Sequence, residues 1–505
     1  MIAQPTTLAK LETLSEAIAE LNLFIQEAAR QGTAAHTVER GVLERVLHAG
    51  RLALGVFFRL QGTGDLGERV TLPDGREVSR YKETHGRDYV SIFGSFHLER
   101  TVYGARESQK IEFIPLDSRL ELPASKFSYV LQDWDQMVTT EQPYGQVCRF
   151  VEEILGVRQY ADNLERMSRS MMEDAEGFCW SLEPPPPQEE GKILIESADG
   201  KGVPIRHPAD AAPIYAHQHK SGPKPDRKKM ATVATVYSVD RFVRTPEEVV
   251  KALFRRPDEP RQPWERPRPQ HKRVYARLSL EEADGTYVDS QPAVLGWMDQ
   301  EVRQRRGDLP KELVCIMDGQ ESLWDTARVL QQDLAKVDIL DLLHVTPRLW
   351  QAAHGFHKPQ SAKAEAFVRS RVLLILQGRV SSVVRGLRRM ASLRKVSSAK
   401  RKTIRKICRY FENNRHRMRY DEYLSKGYPI ASGAIEGACR HLVKDRLERT
   451  GMNWTKPGAQ AVLSLRAIFI SGYWERFIQY RIEHETARLY PYREMLNQRE
   501  WALAI

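Results

Sequence analysis

Two stretches of this chain share one design, and a third completes it. Leu313-Val314-Cys315-Ile316-Met317 is an unbroken apolar run that stops at Asp318-Gly319. Such a run predicts a short strand buried on both faces. Ile193-Leu194-Ile195 leads through Glu196-Ser197-Ala198 to Asp199-Gly200, the same ending with polar residues before the acid. Downstream, Ala431-Ser432-Gly433-Ala434-Ile435-Glu436 places a carboxylate in the first turns of a predicted helix, with Ser432 as its N-cap. An Asp-Gly pair taken alone is most often a turn. Here 119 residues separate Asp199 from Asp318, and 118 separate Asp318 from Glu436. Only a tertiary fold brings acids so far apart together. A carboxylate at the carboxyl end of a buried strand lies at the mouth of an α/β sheet, where sites collect.

The remaining chain sorts by pattern. Residues 1–62 are expected to be helical. Leu11, Leu14, Ile18, Leu21, Ile25 and Ala28 step by 3, 4, 3, 4, 3, a seam that suits a dimer or packing on the same domain. Residues 63–182 are expected to hold a β-hairpin over 90–103, broken at Gly94-Ser95, and then two helices around Gly156. The second presents Arg158, Gln159, Asn163, Arg166 and Arg169, compatible with a DNA-reading helix-turn-helix or with an ordinary helical pair. Residues 183–190, with Pro184-Pro185-Pro186-Pro187, read as a stiff polar linker. In 191–358 the pattern predicts a strand at 192–198 with a partner at 202–206, a basic loop at 220–229 and a strand at 231–239. A Pro/Arg loop at 255–272, helices at 292–304 and 320–334 and a strand at 337–343 follow. Residues 359–426 read as a helical insertion that interrupts the alternation. It resumes in 427–457 with the Glu436 helix, and helices fill 458–505, with Trp474, Phe477 and Tyr480 as core candidates.

Charge singles out the insertion. The chain carries a formal +11, with a pI near 9.3. Residues 361–420 hold eighteen Lys and Arg against two Glu, a net +16, so the other 445 residues stand at −5. A positive segment with few aromatics suits sequence-tolerant contact with phosphates, here through Arg385, Arg388 and Arg389 on one turn. The alternative is a set of self-contained, solvated helices. The five cysteines are dispersed and form no Cys-x-x-Cys, which disfavours a zinc ribbon and favours a reducing compartment. No apolar run approaches the ~18 residues of a membrane span, and the N-terminus lacks the order of a signal peptide. A cytoplasmic location is therefore expected.

Strand with Asp, antiparallel strands, helix, strand with Asp, helix with Glu: this order predicts an α/β RNase H-like catalytic domain. It carries an all-helical insertion and is preceded by an N-terminal α+β DNA-binding region. A few carboxylates suffice for Mg²⁺, which prefers oxygen ligands and keeps several waters. Two such ions ~3.5–4 Å apart can serve both oxygens of an in-line phosphoryl displacement. Ile435, Ala438 and Leu442 form a core stripe on the third acid's helix. Glu436, Arg440 and Lys444 share another face at i, i+4, i+8, fitting metal beside phosphate or an ordinary salt-bridged surface.

Five motifs carry a family resemblance: Ser197-Ala198-Asp199-Gly200-Lys201-Gly202-Val203, Cys315-Ile316-Met317-Asp318-Gly319-Gln320, Asp341-Leu342-Leu343-His344, Tyr428-Pro429-Ile430-Ala431-Ser432-Gly433-Ala434-Ile435-Glu436-Gly437 and Thr450-Gly451-Met452-Asn453-Trp454. Across roughly residues 85–480 the chain resembles bacterial insertion-sequence transposases of the DDE class, in the ISKra group and distantly Mutator-like. The resemblance implies Asp199, Asp318 and Glu436 as catalytic, metal-binding acids, with Mg²⁺ as cofactor and Mn²⁺ able to substitute. It implies double-stranded DNA as partner, both terminal inverted repeats and target, and a homodimer or higher assembly. Arg440, Lys444 and Trp454 are then expected at the DNA. The alternatives are a DNA-binding relative without the reaction, and an RNase H-fold nuclease that cuts without joining. Asp341 and His344 match the Asp-x-x-His that Mutator-like relatives carry after the second acid. They could hold zinc, give Mg²⁺ one ligand, orient an acid or phosphate from behind, or form a helix cap with a satisfied imidazole.

Overall fold

The computed structural model describes residues 13–106, 110–206, 228–256, 266–281, 285–306, 311–394, 396–449, 451–497 and 501. The chain forms two compact units, one of residues 1–174 with 475–505 and one of residues 175–474.

The second unit is built on a five-stranded sheet: β1 (Ile193–Pro204), β2 (Lys228–Val239), β3 (Gln270–Leu278), β4 (Glu312–Met317) and β5 (Val337–Leu340). The order is β5-β4-β1-β2-β3. β1 pairs antiparallel with β2 and β2 antiparallel with β3, while β4 pairs parallel with β1 and β5 parallel with β4. The continuous apolar run of β4 is explained by helices on both sheet faces. Leu313, Cys315 and Met317 enter a core with Trp297 and Trp324, while Val314 and Ile316 enter one with Val345, Leu349 and Phe411. Alternate residues thus serve opposite layers, and every position is buried.

Three expectations change here. β1 is one strand of twelve residues, not two strands around an Asp-Gly turn. β2 partners it from Ile193↔Val239 to Pro204↔Lys228, so Asp199 and Gly200 stay extended opposite Val233 and Thr232. β3 begins where a Pro/Arg loop was expected; of that loop, 257–265 lie outside the described residues, as do 220–227 of the basic loop. Arg273 and Arg277 disguise β3, but both are buried against acids, Arg273 with Glu301 at 2.9 Å and Arg277 with Glu176 at 2.8 Å. The Pro-rich 183–190 stretch lies inside the second unit, where the buried Glu190 carboxylate pairs with Arg305 and Lys311. It is pinned, not a free linker.

The described residues of 361–425 carry four α-helices: Ala362–Leu376, Val380–Leu393, Ser398–Asn413 and Tyr420–Ser425. Phe367, Val372, Leu387, Ile404 and Phe411 share one core with β1, β4 and β5 residues. Among the seventeen described Lys and Arg of 361–420, fourteen are exposed, so most of that charge stands in water.

In the first unit, helices Leu14–Gln31 and Ala35–Gln61 pack together, the first opened by a Thr13–Glu16 capping box. Phe24 lies so close to Gly41 that a Cβ there would meet its ring at 2.4 Å. Arg45 stacks on the same ring and pairs with Glu20. The expected seam divides: Ala28 is buried, whereas Ile18 and Ile25 are 48% and 43% exposed; Leu11 lies outside the described residues. The hairpin pairs His85–Ser91 with Gly94–Arg100, so its turn is Ile92-Phe93 and Gly94, at φ 113°, begins the return. Helices Tyr144–Leu155 and Ala161–Ser181 flank Gly156 as predicted. Gln159 does not face outward; it is buried and donates to Asp135 at 2.7 Å. Among the described residues, no helix is long and apolar enough to cross a membrane.

Candidate active site

Three carboxylates stand at one level across adjacent parallel strands. Met317 of β4 pairs with Leu340 of β5, and the next residues are Asp318 and Asp341. The Asp341 N–H donates to Met317 O at 2.9 Å. Between β1 and β4 the ladder runs to Glu196↔Cys315, and Asp199 and Asp318 each lie three residues beyond that pair. Asp318 Oδ1 accepts from Gln320 N (2.8 Å) and Asp199 Oδ1 from Gly200 N (2.8 Å). The buried Asp341 caps helix Leu342–Phe356 through Leu343 N (2.8 Å).

Glu436 comes from helix Gly433–Ala438. Its N-cap, Ser432, accepts from Ile435 N at 3.4 Å and lies 2.9 Å from Ser197 Oγ, both side chains wholly buried. Ser197 Oγ donates its one proton to Ile316 O (2.6 Å), so Ser432 must donate to Ser197. The relay Ile435 N–H, Ser432, Ser197, Ile316 O links the third acid's helix to the strands of the first two. The polar residues before Asp199 thereby find their use. Glu196 is likewise buried, held by Gln331 (2.8 Å) and Lys336 (3.3 Å). Leu342 N also donates to Ile430 O at 3.0 Å, joining the Asp341-capped helix to the segment before Ser432.

Charge links these groups in pairs, Asp199 with Asp318 and His344, and Asp341 with His344 and Glu436. Burial pushes the Asp199 carboxyl above its ordinary range; the nearby Asp318 charge adds to this and His344 opposes it. Burial pushes Asp341 up to about 6, with the Leu343 N–H, His344 and the Ser432 N–H opposing and Glu436 adding. Sequence reading missed Cys439, whose buried thiol lies 3.8 Å from Asp199 Oδ2 and is pushed up by burial and by that carboxylate. It also missed Tyr410. A Cβ on Gly319 would stand 2.1 Å from the Tyr410 ring, and the Arg348 guanidinium lies 3.5 Å from that ring's centre. The helical insertion thus delivers an aromatic side chain beside Asp318.

The donor set suits a hard divalent cation. It is made of carboxylates, and at Asp199 burial and like charge raise a pKa that such an ion would lower again. Among the described residues, however, no three His, Cys, Asp or Glu side chains are gathered closely enough to hold an ion. The chemistry fits Mg²⁺, and the convergence of donors is incomplete.

The expected DNA-facing residues divide. Helix Gly433–Ala438 gives way to a π-helical stretch, Cys439–Lys444. The wider turn breaks the regular i, i+4, i+8 alignment of Glu436, Arg440 and Lys444, although all three stay exposed over buried Ile435, Ala438 and Leu442. Arg440 Nε is 3.7 Å from Asp445. Trp454 is buried, contrary to expectation: its indole donates to Leu447 O (3.0 Å) and its backbone pairs with Pro204 and Arg206. Arg385 and Arg389 are exposed, while Arg388 pairs with Glu412 at 2.6 Å. Arg158 and Arg166 are exposed on the first unit.

No protein-family model and no curated protein matches the chain. A Drosophila P element transposase strand transfer complex aligns over 72% of this chain and 82% of its own, at 10% identity and a TM-score of 0.23.

Proposed function

We propose that this chain is a DDE-class transposase of the ISKra kind with an RNase H-like catalytic unit. It binds terminal inverted repeats, hydrolyses strands at element ends and joins the 3′-hydroxyls to target DNA, acting as a dimer or larger assembly. Asp199, Asp318 and Glu436 are the residues to hold Mg²⁺, with Mn²⁺ able to replace it. Bound there, the metal supplies electrostatic stabilisation of the attacking and leaving oxygens. The observation that carries this reading is the matched depth of Asp199 and Asp318 on parallel strands, with the Glu436 helix tied to them through Ser197 and Ser432. The strand order β5-β4-β1-β2-β3, with β4 and β5 parallel to β1, supports the fold reading. Asp341 sets the start of the helix that carries His344, and the imidazole orients an acid or the scissile phosphate. The exposed cations of 361–420 take backbone phosphates.

The test incubates purified protein with labelled element-end duplexes, Mg²⁺ and a target plasmid, then maps nicks and joints. Asp318→Asn and Glu436→Gln should abolish both products and leave end binding within a few-fold. Ca²⁺ should permit binding without turnover. Products formed in EDTA, or binding lost in step with chemistry, would overturn the assignment.

A further inference from the structure

Next to the acid row lies a cavity of about 440 Å³ that the reading above leaves without a role. Gly200, the residue after Asp199, and Gln320, whose N–H holds Asp318, form its edge on the site. Its floor is a set of hydroxyls that satisfy one another, Thr232 with Ser290 at 2.9 Å and Ser279 with Ser290 at 3.1 Å. The acid in its lining, Asp289, accepts from Ser279 Oγ (3.1 Å) and Gln291 N (3.3 Å). The lining also includes Lys229 and Lys456, and two large side chains well in solvent, Tyr287 at 66% and Met230 at 57% exposed.

We infer that this groove takes unpaired nucleotides flanking the scissile phosphate, with Lys229 and Lys456 on their phosphates and Tyr287 against a base. The inference rests on the proposed DNA-processing function and adds a substrate form: strand ends opened next to the cut. The space is of the size of a small-ligand pocket, roughly 300–1,000 Å³, and does not admit a duplex. Bases within a duplex stack on each other and offer Tyr287 no face. An unpaired base does, and stacking on an aromatic ring tolerates any sequence. The lysines match the strand's charge without reading it.

The test uses the full chain in metal-free buffer with two probes of arbitrary sequence: a duplex ending in a short unpaired arm that carries 2-aminopurine, and the same duplex fully paired. Wild type should bind the forked probe about tenfold more tightly, with quenching of the arm's fluorescence. Tyr287→Ala should erase both the preference and the quenching, and Tyr287→Phe should keep them. Lys229→Gln with Lys456→Gln should weaken forked binding and lower its salt slope by about 1 to 2. Equal binding of the two probes by wild type, or quenching that survives Tyr287→Ala, overturns the groove assignment alone. Failure of wild type to bind either probe overturns the DNA reading with it.

Discussion

Two hydroxyl groups hold the third acid in relation to the first two. Ser432→Ala removes a helix cap, at a cost of about 0.5–2 kcal/mol, and cuts the relay to Ser197. It should lower Tm and reduce strand cleavage about tenfold or more while DNA binding holds. Ser432→Thr, which restores the hydroxyl, should recover part of the rate. Full cleavage by Ser432→Ala would show that the relay does not position Glu436. Asp135 makes a separate prediction. Burial pushes its carboxyl from 3.8 up to about 7, and Gln159 only partly offsets this. Below about pH 4 both states are protonated; between pH 4 and 7 only the unfolded chain loses its proton. Stability therefore falls as pH rises through that window, by an amount on the order of 4 kcal/mol for a fully buried group. Asp135→Asn should melt higher than wild type at pH 8, with the gap narrowing at pH 5. A gap independent of pH would refute the linkage. Neither Ser432's partner nor the burial of Asp135 is visible in the chain, because both depend on residues far away in sequence. The cap itself was legible, because capping is local.

At the scale of elements, legibility followed how far each segment's physics is its own. β4 declared itself, since a run that is apolar at every position has few alternatives to a covered parallel strand. β3 did not, because Arg273 and Arg277 look exposed until Glu301 and Glu176 are known to meet them. β1 was cut in two on paper, since Asp-Gly is a turn signal and only the pairing with β2 overrides it. The Glu436 helix was found but its π-helical continuation was not, for nothing in Cys439-Arg440-His441 announces a wider turn. The charge of the 361–420 helices was plain from composition, and its exposure can now be used. Arg388 is already paired with Glu412, so Arg385 and Arg389 are the sharper pair to neutralise. If each contacts a phosphate, Arg385→Gln with Arg389→Gln should lower the salt slope of DNA binding by about 2. An unchanged slope would clear that turn of DNA contact.

On the scale of the whole molecule, the first unit is closed by both ends of the described chain. Leu496 joins Val70, Leu72, Val78, Tyr103 and Phe113 in one cluster. Glu485 accepts from Ala124 N at 3.0 Å, and the Trp501 indole donates to Gln61 O at 3.0 Å. Removing 475–505 should open this cluster. Limited proteolysis should then cut within 13–174 while a fragment of about 191–474 persists, and an unchanged digestion pattern would deny the dependence. The same threading sets an order in time. A ribosome adds about 5–20 residues per second, so once residue 174 has emerged, about 15–60 s pass before residue 475 is made. Late in that interval, once Glu436 has been made, the acid row can assemble on its sheet, while the surface around Val70 and Tyr103 still waits uncovered. A message broken just short of codon 475 would therefore release a chain with its carboxylates in place and a sticky, unfinished half, a substrate for chaperones and proteases before it could meet any partner.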